Sequence, residues 1–133
     1  MRSESAFANQ LYPKIRDEGC KVQPIESGTT ALGIPDAYVR TPRVGLWIEL
    51  KNLIYPVQDH FLVPFRPGQY VWLRDHWKLG GISVLGIASV EGFFFFVNDH
   101  IQREYHGPLR KYADYNPGRL VGSDIVKWFD SLA

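Results

Sequence analysis

The sequence predicts an α/β fold, a mixed sheet flanked by helices, from three observations. Residues 82–90, ISVLGIASV, form a continuous apolar run of the kind that makes a central strand buried on both faces. Phe7, Leu11 and Ile15 recur at i, i+4 and i+8, one face of a helix. Between them lie short runs punctuated by Pro and Gly, which read as strands joined by turns. The resulting order is helix, three strands, helix, two strands, helix, and that order makes a layered α/β domain.

Each element has its own signal. Ser3 or Ser5 can cap the first helix, Pro13 can kink or shorten it, and Gly19 stops it. CKVQPIE (20–26) reads as an edge strand, because Pro24 is tolerated only at an edge. SGTTALG (27–33) is a loop. IPDAYVR (34–40) and LWIELKN (46–52) are strands joined by TPRVG, which makes a hairpin. Residues 53–68, with three prolines and a glycine, read as a loop. A helix follows over 69–81, with Pro67 before it and Gly80 closing it. FFFFV (93–97) is the strand after the central one, and a dimer surface if one of its faces is uncovered. Residues 98–119 read as irregular, and 123–132 as a C-terminal helix capped by Ser123.

Composition narrows the function. At 133 residues, the chain has the length of one domain. A hydrophobic content of 45% marks a folded chain. The net charge of +1 announces no global attraction to nucleic acid, although a local basic face remains compatible with it. Cys20 is the single cysteine, which excludes an intramolecular disulfide and a Cys-rich zinc site. The start, MRSESAFANQ, lacks the apolar segment of a signal peptide, and no run approaches the ~20 residues that span a bilayer. The expectation is one soluble, cytoplasmic domain over 1–133, with its core at about 3–98 and an extension at 99–133.

The chemistry concentrates in the hairpin. Glu49 and Lys51 are two apart, so they share a face of their strand. Asp36 belongs to the facing strand. One face can therefore gather two carboxylates and an ammonium. Carboxylates this close repel unless a cation lies between them. A hard divalent ion such as Mg²⁺ suits oxygen ligands, and the Leu50 carbonyl can add one more. Such an ion acidifies a bound water and neutralises phosphate charge, while Lys51 can orient that water or stabilise the phosphoryl oxygens. The plainer alternative is a solvated hairpin with a cross-strand ion pair of little energetic value.

The pattern Pro35-Asp36 … Glu49-Leu50-Lys51 resembles the PD-(D/E)XK nuclease superfamily. GIPDAYV … GLWIELK is most similar to the branch of Holliday-junction resolvases, phage endonuclease I and VRR-NUC-type nucleases. The resemblance spans roughly residues 3–90 and implies a restriction-endonuclease-like αβββαβ core. It implies that Asp36, Glu49 and the Leu50 carbonyl hold Mg²⁺, with Mn²⁺ able to substitute, and that Lys51 assists the attacking water. It further implies that Glu4, on the first helix, completes the metal site, with Glu26 as its competitor. Asp17 and Glu18 fit that place worse. Gln69, opening the helix after the Lys strand, is implied to support the site by hydrogen bonding.

The expected activity is thus a Mg²⁺-dependent DNA endonuclease, structure-specific on branched DNA, phage-type and homodimeric. A replication-repair nuclease acting on ends, flaps or nicks is the alternative within the class. A non-catalytic nucleic-acid-binding or assembly subunit is the alternative outside it. Arg40, Arg43, Arg66, Arg110 and Lys111 are candidate DNA contacts, as are Arg74 and Lys78, although each alone reads equally as a surface charge. The histidines His60, His76, His100 and His106 show no zinc spacing and are not expected to be ligands.

Overall fold

The computed structural model describes residues 4–25, 33–53 and 59–133. Five strands form one sheet in the order β1-β2-β3-β5-β6. These are β1 (Lys21–Pro24), β2 (Ala37–Arg40), β3 (Gly45–Asn52), β5 (Ser83–Ser89) and β6 (Gly92–Val97). Neighbours run antiparallel except β3 and β5, which are parallel. A parallel pair needs a long crossover, and the segment carrying α2 (Gln69–Lys78) supplies it. The architecture is the mixed α/β sheet with three helices that the sequence predicts.

Alternation along the strands divides the core in two. Leu46, Ile48, Leu50, Val84 and Phe95 point to the face covered by α1 (Glu4–Asp17) and α3 (Gly122–Asp130). They pack there with Phe7, Leu11, Ile15, Ile125 and Phe129. Leu85, Ile87, Phe94 and Phe96 point to the other face, against Leu73 of α2 and the aromatic pair Phe61 and Tyr105. The phenylalanine run is thus shared between both layers. Phe94, Phe95 and Phe96 are all buried within the chain, so both faces of their strand are covered at these positions. β3 follows the same rule: Leu46, Ile48 and Leu50 face α1, which leaves Trp47, Glu49 and Lys51 on the side of α2.

Four local expectations are corrected. Residues 60–62, read as loop, form strand β4 (His60–Leu62). It pairs antiparallel with β7 (Glu104–His106), inside the stretch read as irregular. Neither three-residue strand is long enough to show a period in sequence. The C-terminal helix begins at Gly122 after Val121, and Ser123 does not cap it with its side chain. Pro13 does not end α1, which continues to Asp17 with the proline ring at solvent. No helix among the described residues is long and apolar enough to cross a membrane.

Candidate active site

Two glycines bring the hairpin and α2 together. Gly33 has φ +89°, and a Cβ there would meet the Gly68 carbonyl oxygen at 2.5 Å. Gly68, at φ +87°, precedes the first residue of α2. The left-handed backbone and the close approach both exclude a side chain. The loop that delivers Asp36 therefore lies directly on the start of the helix that delivers Gln69.

Asp36 immediately precedes β2, and its Oδ2 accepts a hydrogen bond of 2.6 Å from the Leu50 N–H. The aspartate is thereby fastened to β3 between Glu49 and Lys51. Glu49 is fully buried and Lys51 is 1% exposed. Glu49 Oε2 lies 3.2 Å from Lys51 Nζ. Lys51 Nζ donates to Gln69 Oε1 at 2.8 Å, and the Arg66 N–H donates to the same oxygen at 2.7 Å. The Phe65 ring lies 5.9 Å from the ammonium. Gln69 thus aims Lys51, and the backbone before α2 aims Gln69.

Asp36, Glu49, Leu50, Lys51 and Gln69 are therefore one connected group. Burying two charges is costly, and an apolar pair of similar volume often serves stability as well. The pair is therefore not explained by stability alone. Glu4 opens α1, but its side chain lies outside the described residues, as does Glu26 altogether. The basic candidates are scattered. Arg40 and Arg43 are exposed at the turn end of the hairpin, and Arg40 is about 13 Å along the strand from Asp36. Arg110 and Lys111 are exposed in a single 3₁₀ turn after β7. Arg66 adjoins Gln69 in the chain.

Tyr12 was not singled out by its sequence context, because a tyrosine on the buried side of a helix reads as core. Its hydroxyl is buried with no hydrogen-bond partner among the described residues. Burial pushes its pKa well above the usual phenol range, and the nearby negative charges of Asp36 and Glu49 add to the rise. The phenol therefore stays protonated and feels the acidic cluster. Two of the histidines, His60 and His106, meet Glu104 in space. Sequence could not show this grouping, which joins positions 44 apart.

The sheet order and flanking helices define a restriction-endonuclease-like α/β fold. Archaeoglobus fulgidus Hjc, a Holliday junction resolvase from an archaeal hyperthermophile, shares it with a TM-score of 0.62. The match covers 92% of this chain and 98% of that one at 12% identity, so the likeness is one of fold. No family model and no curated protein matches the chain.

Proposed function

We propose that this chain is a Mg²⁺-dependent DNA endonuclease of the structure-specific kind, acting on branched DNA as a homodimer. The observation that carries the reading is the linked set Asp36, Glu49, Lys51 and Gln69 at the junction of the hairpin and α2. Its donors fit a hard divalent cation: one carboxylate lies just before β2 and the other on the adjacent β3, where it is buried with an ammonium beside it. Asp36 and Glu49 would hold Mg²⁺, with Leu50 carbonyl and Glu4 as further ligands. The bound ion would supply an acidified water and charge neutralisation at the scissile phosphate.

The chain's own residues have distinct parts in this reading. The Leu50 N–H fixes one Asp36 oxygen and so sets the direction of the other. Lys51 Nζ, held by Gln69, presents a positive charge where negative charge develops on the phosphate. Its low exposure strengthens that attraction by excluding water. The fold likeness to a resolvase supports branched DNA as the substrate class, and a two-fold junction favours a symmetric dimer.

Crystals soaked in Mn²⁺ test the site. The reading expects an anomalous peak beside Asp36 and Glu49, lost in Glu49→Gln. Absence of any peak there at millimolar Mn²⁺ would overturn it.

A further inference from the structure

A second group of metal-ligating side chains lies on the β4–β7 ribbon. His60 and His106 are direct cross-strand partners, and Glu104 is two residues before His106. Residues two apart share a face, so all three project together, while Phe61 and Tyr105 point into the core. One Nδ1, Nε2 or carboxylate oxygen from each lies within 4.8 Å of those of the others. His60 Nε2 is 2.8 Å and His106 Nε2 3.8 Å from the Glu104 oxygens. The two imidazoles stack at 4.7 Å with their planes 8° apart.

We propose that His60, Glu104 and His106 form a transition-metal site, with Zn²⁺ as the fitting ion. Two imidazole nitrogens and one carboxylate oxygen match borderline ions of this kind and are a poor set for Mg²⁺. The site is therefore chemically distinct from the oxygen-rich hairpin. A tetrahedral Zn²⁺ needs its ligand atoms about 3.3 Å apart. The three side chains are partly or largely exposed and can close that distance by rotation. Their backbone is already fixed, because Phe61 and Tyr105 are buried beneath them and the Tyr105 hydroxyl donates to the His100 carbonyl. The fourth position is left for water or an outside ligand.

The ribbon gives the ion a purpose. Two strands of three residues are far below what holds together alone. An ion shared across them would clip residue 60 to residues 104 and 106. The clipped strap continues through Val63, whose N–H bonds the Arg103 carbonyl, to Arg66, whose N–H positions Gln69. The proposal rests on this cluster alone and stands whether or not the hairpin is a nuclease site.

The test is calorimetric titration of the metal-stripped full chain with Zn²⁺ in the presence of millimolar Mg²⁺. It uses wild type, His60→Gln, His106→Asn, the double variant and Glu49→Gln. Imidazole proton resonances and the thermal midpoint are followed alongside. Expected are one Zn²⁺ per chain, shifted ring signals, a raised midpoint, and unchanged binding in Glu49→Gln. Affinity should fall more than about tenfold in each His variant. Absence of Zn²⁺ binding at micromolar concentration overturns the proposal. So does binding that survives in the double variant or disappears in Glu49→Gln. The two histidine positions are exposed while Glu49 is buried, and circular dichroism confirms that each variant is folded.

Discussion

Replacing Lys51 with Met should destabilise the fold strongly, and replacing Glu49 with Gln at the same time should restore much of the loss. Methionine keeps the apolar length of the side chain and removes only the charge. The Gln69 oxygen retains the Arg66 N–H, so the main injury is to Glu49, left as a buried carboxylate without the ammonium 3.2 Å away. Coulomb's law at that distance, with an effective dielectric of about 20, gives about 5 kcal/mol. Breaking one side of a buried pair ordinarily costs about 3–5 kcal/mol. Natural domains carry about 5–15 kcal/mol, so the single variant should still fold. Urea unfolding of the metal-free chain at neutral pH should show a midpoint lowered by on the order of 2 M. In the double variant neither charge remains, and its loss should be smaller than the sum of the two single losses by several kcal/mol. Losses that add to within about 0.5 kcal/mol would refute the coupling and with it the geometry of the pair.

Gln69→Leu should cost about 1–3 kcal/mol in the same assay, because the buried Lys51 ammonium and the part-buried Arg66 N–H lose their acceptor. It should also lower the rate of DNA cleavage without abolishing Mn²⁺ binding. Tyr12→Phe should be neutral or stabilising by up to about 2 kcal/mol, since the buried hydroxyl has no hydrogen-bond partner among the described residues. Tyr12 and Tyr105 both ionise above the usual phenol range in the fold, chiefly because they are buried. The unfolded chain, with its phenols near pH 10, loses those protons first. These two phenols should therefore leave stability unchanged below about pH 10 and lower it above, with a shallower fall in Tyr12→Phe. Urea midpoints measured across that range check the sign. Gly33→Ala should be destabilising by more than about 1 kcal/mol, since both its φ and the Gly68 carbonyl oppose a Cβ, and should loosen Asp36 and Gln69 together.

Sequence alone revealed those parts of the site that follow from local periodicity. Glu49 and Lys51 are two apart in a strand, which is enough to place them on one face. Gln69 follows a Pro-Gly pair and opens a helix, which is enough to place it at a helix start. The central strand is visible because 82–90 is apolar on both faces, and the structure buries residues 83–88 of it. What sequence hid depends on distant pairing. β4 and β7 are too short for a pattern, and only the fold brings His60 to Glu104 and His106. Tyr12 is indistinguishable from any core aromatic until the carboxylates near it are known. The Leu50 N–H bond to Asp36 also lay out of reach, because it fixes a residue just outside its strand.

Cleavage is the most direct test of the central claim. The chain is incubated with Mg²⁺ and a panel of four-way junction, flap, linear duplex and single-stranded DNA, alongside Glu49→Ala and Lys51→Ala. The account predicts paired, symmetric cuts in the junction that require the ion and fall at least about a hundredfold in either variant. Cleavage that persists in both variants, or a junction left intact by wild type with Mg²⁺ and with Mn²⁺, would contradict it.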